Sequence, residues 1–298
     1  MGTETSLRLL KEHTHVLVAA EQLEFLPSDI DIVRLAPGVL ADSAELMPAF
    51  ISLRDLSSAQ SDALLNLTFE QHEAGDAVSV CTLLQTARSP EEIRFHLGRI
   101  QLCKNQKGER AWLRVHDPRV WGQLQRVFDP DTLAWLYGPI SKWTICLDGE
   151  WITTQPPIAT SGKPAHAFRR STQQEWQELE RIGIVNRALA RLGLPGYANL
   201  MQHSAALDAL ASRAQSRHQL SRTSELLDYV CLGWRVHPQF DEHPIAIQAI
   251  QDYQASLSDV DAGEDTSVVY AMMDIKADQW DQVRSDLSSQ FRNSRIAP

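Results

Sequence analysis

Short apolar runs typical of buried strands occur throughout the first half of the chain. Residues 14–20 (THVLVAA) and 78–84 (VSVCTLL) are two such runs, both rich in β-branched residues. Residues 100–116 and 143–153 predict hairpins, the first with a turn around 105–108 and the second with the two-residue turn Asp148-Gly149. Stretches with apolar residues at helical spacing lie between these strands. This half therefore predicts a lobe that mixes a sheet with helices.

Between residues 89 and 139, polar residues and prolines mark the predicted starts and ends of helices. Ser89 and Glu92 have the spacing of a capping box, and the proline after Ser89 can take the first helical position, where its missing N–H costs nothing. An aspartate followed by proline repeats this pattern twice, and glycine followed by proline ends the last helix. The residues assigned this structural role are Ser89, Pro90, Asp117, Pro118, Gly138 and Pro139.

The pattern changes after residue 152. Residues 153–170 (TTQPPIATSGKPAHAFRR) contain three prolines and few large apolar residues, which favours a linker. Helical spacing then prevails, with a capping box at Thr172 and Glu175 and further helices predicted near 197–218, 223–236, 243–256 and 277–290. We predict an α+β protein in which a mixed α/β lobe (1–152) and a linker (153–170) precede a mostly α-helical lobe (171–298).

Composition restricts the classes of partner. The chain has 298 residues, 43% of them hydrophobic, and a formal net charge of −10 with a pI near 5.5. An acidic protein lacks the surplus of positive charge that displaces counterions from nucleic acid or attracts anionic lipid. We therefore expect neither nucleic acid nor a membrane as partner.

The cysteines and the first residues favour a cytoplasmic protein. Cys81, Cys103, Cys146 and Cys231 are widely spaced without a CxxC pair, so we expect buried free thiols. Reduced thiols are typical of the cytoplasm. The first twenty residues lack the pattern of a signal peptide, and no apolar run approaches the length of a membrane span.

The sequence contains no recognisable catalytic motif. The pairs His13/His15 and His237/His243 do not have the spacing of a metal-binding set. There is no GxSxG elbow and no glycine-rich phosphate loop. We expect no catalytic residues, no metal and no cofactor, although an enzyme of unrecognised class stays an alternative.

Charge is unevenly distributed along the chain. Residues 88–126 hold nine basic and four acidic residues, whereas residues 241–298 hold eleven acidic and four basic ones. Five of the eight tryptophans lie between residues 112 and 151. Either the charges cluster by chance on a solvated surface, or a basic face orients an acidic partner. Most of these tryptophans should be core residues, with one or two as interface anchors.

The run from Ser89 to Trp143 resembles the defining domain of the type VI secretion effector adaptors, also called effector chaperones. The family pattern has an S-P-x-x-x-L-x-x-H-L helix, a turn with glycine, an R-[FY]-x-D-P-R segment and a G-P before a tryptophan-containing strand. Its matches here, over about 55 residues, are Ser89, Pro90, His96, Leu97, Gly108, Arg114, Asp117, Pro118, Arg119, Gly138, Pro139 and Trp143. The segment GWRVHPQFDEHP (233–244) resembles a further family pattern more loosely.

Two positions depart from the pattern. The first strand usually ends in aspartate in the family, whereas Ala19 and Ala20 stand there, and His116 replaces an aromatic residue. The resemblance implies a non-catalytic adaptor that binds one secreted effector and helps to load it onto the spike, with VgrG or a PAAR-type protein as a further partner. A structural component of the secretion apparatus stays an alternative.

Arg119 breaks a local rule. It lies at the second position of the predicted helix, where a positive charge opposes the helix dipole. Such a residue has either an internal carboxylate partner or a role in binding, and we hypothesise the latter, with Arg114 of the preceding strand on the same side. The hypothesised partner-binding residues are Arg114, Arg119, Arg99 and His96.

Overall fold

The computed structural model describes residues 3–74, 80, 82–158, 171–257 and 268–294. Packing divides the chain into two compact units, one of residues 1–179 with 196–201 and one of residues 180–195 with 202–298. The described strands are β1 (His15–Val18), β2 (Val33–Arg34), β3 (Ala49–Ser52), β4 (Thr82–Thr86), β5 (Leu102–Lys104), β6 (Arg110–Trp112), β7 (Ile140–Leu147) and β8 (Glu150–Thr154).

Helices lie between the strands in the first half of the chain, and the described elements from Gln173 onward are helices. In the first half they are α1 (Thr3–Glu12), α2 (Ser58–Ala74), α3 (Pro90–Ile100), α4 (Pro118–Val127) and α5 (Pro130–Tyr137). After the strands come α6 (Gln173–Arg191), α7 (Gly196–His218), α8 (Thr223–Arg235), α9 (Pro244–Leu257), α10 (Val268–Met273) and α11 (Ala277–Ser294). Short 3-10 helices occupy Ala20–Phe25, Gly38–Leu46 and Phe240–Glu242.

One six-stranded antiparallel sheet forms the centre of the first unit. Its order is β2-β3-β1-β4-β7-β8, and β5 and β6 form a separate hairpin. Val16, Leu17 and Val18 on β1 are fully buried, since both faces of the central strand are covered. The β7–β8 turn has a positive φ at Asp148 (49°) and Gly149 (80°), as a two-residue hairpin turn of this hand requires.

Three aromatic rings pack beside the sheet. Trp121 of α4 stacks on Trp143 of β7, with ring centroids 3.7 Å apart, and Tyr137 of α5 meets Trp121 edge-on at 5.2 Å. All three side chains are fully buried. The indole N–H of Trp121 donates to Thr154 Oγ1 (3.2 Å), which donates to the Trp143 carbonyl (3.0 Å). These contacts fix α4 on the sheet and so position the residues at its start.

The second unit is built around a buried carboxylate. Asp241 accepts hydrogen bonds from Arg213 Nε (2.8 Å), and its other oxygen lies 2.8 Å from His218 Nε2. Burial raises the pKa of Asp241, but the hydrogen bonds from His218 and Arg213 and the charge of Arg213 outweigh it and hold the pKa at about 2. The carboxylate therefore stays charged and joins α7 to the 3-10 helix at Phe240–Glu242.

The predicted α+β class is confirmed. The described strands end at Thr154, and the described residues from 173 onward that form regular structure are helical. The short α10 was not predicted. The predicted linker begins within β8, since residues 153 and 154 are strand, and its residues 159–170 lie outside the described residues. The predicted lobe limits, 1–152 and 171–298, stay predictions.

The thiols and the helix lengths can be compared with the predictions. Cys103, Cys146 and Cys231 are free, the first and last of them buried and Cys146 partly buried. Burial raises the pKa of Cys146 to about 11. Cys81 lies outside the described residues. Within the described ranges, no helix is long and apolar enough to cross a membrane.

Candidate protein-interaction site

The helix α3 starts at the capping box that the sequence predicts. The backbone N–H of Glu92 donates to Ser89 Oγ (3.3 Å), the backbone N–H of Ser89 donates to the Glu92 carboxylate (3.2 Å), and Pro90 occupies the first helical position. Ile93, Leu97 and Ile100 form its buried stripe. Two of the free N–H groups at the start of the helix are thereby satisfied, which fixes where α3 begins.

The helix α4 starts at Asp117, whose side chain accepts from the backbone N–H of Arg119 (3.0 Å) while Pro118 takes the first helical position. This confirms the predicted N-cap. The Asp117 side chain is only 8% exposed. Its negative charge lies at the positive end of the α4 dipole, where it is stabilising.

Two arginines converge on Asp117 and extend towards solvent. Arg119 Nε and one terminal nitrogen lie 3.2 and 3.3 Å from the two carboxylate oxygens, and a terminal nitrogen of Arg114 lies 3.7 Å from Oδ2. Their side chains remain 62% and 44% exposed. Arg114 also lies 3.9 Å from Glu21, and its guanidinium is 5.9 Å from the Trp112 ring. We call Arg114, Asp117 and Arg119 the arginine cap.

The arginine cap shows which group Arg119 contacts, and it corrects the predicted position of Arg114. Arg119 has an internal carboxylate partner, one of the two explanations for its position, and this partner leaves most of the side chain accessible. Arg114 lies on the same side, as expected, but not in a strand. β6 ends at Trp112, and residues 113–117 turn into α4, with the Asp117 N–H donating to the Arg114 carbonyl (2.9 Å).

His116 lies behind the arginine cap and is 2% exposed. Its backbone carbonyl accepts from Thr82 Oγ1 (2.9 Å) of β4, and its ring stacks on Trp112 at 5.8 Å. Burial, followed by the nearby Arg114 charge, lowers the pKa of His116 to about 4. At neutral pH this residue is an uncharged ring that ties the turn to the sheet.

His96 lies in a structural contact apart from the arginine cap. Its Nε2 donates to the Leu136 carbonyl (2.8 Å), so the ring spans from α3 to the end of α5. There Gly138 has a φ of 52°, and a Cβ on it would lie 2.4 Å from the His96 ring. Gly138 thus gives α5 its predicted end, and the next residue, Pro139, accepts through its carbonyl from Thr86 Oγ1 (2.9 Å).

Arg99 is associated with a residue that the sequence did not single out. Phe95, also on α3, is 69% exposed, and the Arg99 guanidinium lies 5.7 Å from its ring centroid. Phe95 departs from the buried stripe of α3 by two positions, so an apolar residue on the polar face was the available signal. The structure thus brings Arg114 and Arg119 together, whereas Arg99 pairs with Phe95 and His96 with Gly138.

Among the side chains that the structure describes, no group of three or more His, Cys, Asp or Glu could hold a metal ion. His13 binds the Leu9 carbonyl (2.6 Å) and Thr144 (2.8 Å), and the His15 ring stacks on Phe50 at 4.6 Å. The absence of a metal and of an organic cofactor stays a prediction.

Comparison with known proteins gives one match. Residues 35–134 match the family described as "Domain of unknown function (DUF4123)". The match covers about a third of the chain and contains α3, the β5–β6 hairpin, the arginine cap and α4. No curated protein and no solved structure matches.

Proposed function

We propose that this protein is a non-catalytic adaptor that binds a type VI secretion effector and helps to load it onto the VgrG/PAAR spike. Two similarities support this proposal. The DUF4123 family is associated with effector adaptors of type VI secretion. The motif from Ser89 to Trp143 resembles the defining domain of those adaptors, and its arginine cap lies within the matched residues.

The arginine cap is the observation that carries the proposal. A surface arginine normally loses rotamer freedom when it binds a partner, which weakens the complex. Here Asp117 is held by its backbone hydrogen bond to α4 and restrains two guanidinium groups that remain largely exposed. Arginine presents a rigid fork of donors that matches the two oxygens of a carboxylate. The cap is therefore suited to bind an acidic segment of another protein.

The residues around the arginine cap also carry a surplus of positive charge. The basic surplus between residues 88 and 126 contrasts with the net charge of −10 for the whole chain. A local surplus of positive charge on an acidic protein attracts acidic partners. Phe95 with Arg99 provides an apolar anchor on the same basic segment, and aromatic and arginine side chains are enriched among residues that dominate binding energy.

Co-expression tests the proposal. The effector encoded beside this protein should be recovered in larger soluble amount when the protein is co-expressed, and should co-purify with it in a fixed ratio. A tagged copy of the protein, expressed together with the whole gene cluster that encodes it, should also capture VgrG or a PAAR-type protein. An effector whose solubility and recovery do not change would refute the adaptor function, and incorporation of many copies into a large assembly would favour a structural component.

A further inference from the structure

A groove lies on the helical unit among α9, α10 and α11. Its volume is about 690 Å³, and it is open along one side. Its apolar surface includes Ile245 and Ala249 of α9, Ala271 of α10 and Ile275 between α10 and α11. Ala271 and Ile275 are buried and form its floor. The two alanines leave room for a partner backbone to approach closely, as helices pack at 8–10 Å when the facing residues are small.

The charged lining of the groove is acidic. Asp252 of α9 and Asp274 after α10 line it, and among the described residues neither has an ion-pair partner. Gln248 and Gln279 supply the remaining polar groups, with Gln248 donating to Asp252 (2.7 Å). Among the described residues that line the groove, none is a lysine or an arginine. The groove therefore combines an apolar floor with carboxylates at its edges.

We propose that this groove binds a cationic amphipathic helix of a partner protein. The apolar face of such a helix would contact Ile245 and Ile275, and its lysine or arginine side chains would pair with Asp252 and Asp274. Helices bind in grooves of this kind through apolar residues one turn apart, while charge selects the partner. This binding surface goes beyond the proposed effector contact at the arginine cap, because its charge is opposite and its test uses no effector.

Two designed peptides provide the probe. Both are labelled 14-residue amphipathic helices, one of leucine and lysine and the other of leucine and glutamate, titrated with the full-length protein by fluorescence anisotropy. We expect the lysine peptide to bind at least about tenfold more tightly than the glutamate peptide, and to lose affinity as salt is raised, because the pairs are near the surface. Equal affinities, or no binding of the lysine peptide at millimolar protein, would overturn the proposal.

Variants assign the binding to the groove. Asp252→Asn with Asp274→Asn should weaken binding of the lysine peptide about tenfold, which is the effect of losing two exposed ion pairs. Asp281→Asn is the control, since it removes one charge, paired with Arg284, from α11 outside the groove lining, and it should change affinity by less than about twofold. If the double variant and the control bind alike, the carboxylates do not recognise the partner.

Filling the groove gives an independent test. Ala249→Phe places a ring in the groove at a half-buried position, and it should abolish peptide binding without lowering the melting temperature by more than about 2 °C. A folded Ala249→Phe protein that still binds the lysine peptide would overturn the proposal. So would a dimer of the natural protein that this variant dissociates, since the groove would then bind a second copy.

Discussion

Both units place an aspartate between arginines, but they use the arrangement in opposite ways. In the helical unit the Asp241 side chain is completely buried, and Arg213, His218 and Arg217 reach it from α7. In the α/β unit Asp117 is held mainly by the start of its own helix, and the arginines beside it face solvent. Asp241 thus joins elements distant in sequence, whereas Asp117 joins residues within three positions.

The two aspartates differ in what they do: Asp241 stabilises the fold, whereas Asp117 holds two arginines that remain exposed. A buried carboxylate that loses its partners leaves uncompensated charges behind, so the Asp241 network is required for stability. An exposed pair contributes at most about 1 kcal/mol, so the arginines of the cap add little to stability. We propose that binding explains their position. Each prediction below changes one side of this comparison, from the largest expected effect to the smallest.

The largest effect is expected at Asp241. Asp241→Ala should lower the free energy of unfolding by about 3 kcal/mol, because Arg213 and His218 would lose a fully buried acceptor. Glu242→Ala is the control, since Glu242 pairs with the same Arg213 (2.9 Å) but is exposed, and it should cost less than about 1 kcal/mol. Urea denaturation followed by circular dichroism measures both. Equal losses would show that burial does not decide the role of the network.

The next effect is expected at Gly138. Gly138→Ala should cost about 3 kcal/mol, because it combines a positive φ with a Cβ too close to the His96 ring, which is held by the Leu136 carbonyl. Gly108 also has a positive φ (86°), but a Cβ there would have no neighbour within 4 Å. Gly108→Ala should therefore cost only about 1 kcal/mol. The difference between the two unfolding free energies isolates the His96 contact, and no difference would contradict that contact.

Acid should destabilise the protein through the histidines of the α/β unit. Burial lowers the pKa of His15 and of His116 from 6.5 to about 4. Between these values the unfolded chain binds more protons than the folded one, so the free energy of unfolding falls as the pH drops from 6.5 towards 4. We expect a loss of about 2 kcal/mol for each of the two histidines between pH 7 and pH 5. The Asp241 pKa of about 2 keeps that network charged throughout this range.

Urea denaturation at several pH values measures this dependence. His15→Gln removes one of these two groups and should reduce the loss by about 2 kcal/mol. A stability that stays constant from pH 7 to pH 5 would show that these histidines are not held neutral by burial.

The smallest stability effects are expected at the arginine cap. Asp117→Ala should cost about 1 kcal/mol, since it removes an N-cap, and should weaken partner binding only to the extent that it loosens the cap. Arg119→Ala should change the free energy of unfolding by a few tenths of a kcal/mol. The Arg119 side chain is largely exposed, and its positive charge opposes the dipole of α4. Thermal melting distinguishes the two variants. A markedly lower melting temperature for Arg119→Ala would make Arg119 a structural residue.

The same comparison explains what the sequence could predict. Capping boxes, the Asp117 N-cap, the end of α5 at Gly138 and the Asp148-Gly149 turn depend on residues within about four positions, so local rules find them. Asp241 and its partners on α7 lie 23 to 28 residues apart, and no local pattern pairs them. The six residues of α10 are too few to show a period.

The candidate site was predicted in part for similar reasons. Arg114 and Arg119 could be placed on one side because both flank Asp117. The contact between His96 and Gly138 joins residues 42 positions apart, and only the fold brings them together. The groove on α9, α10 and α11 depends on how three helices pack, which periodicity does not specify.

The central claim is that the arginine cap binds the effector encoded beside this protein. Isothermal titration calorimetry of that effector with the purified protein tests it most directly. Arg114→Ala with Arg119→Ala should weaken binding at least about tenfold while the melting temperature stays within about 2 °C of the natural protein. The charge-matched control, Arg8→Ala with Arg284→Ala, removes two arginines from α1 and α11 and should leave the affinity within about twofold. If the arginine-cap variant is folded and binds the effector as tightly as the natural protein, the interface lies elsewhere and the account is contradicted.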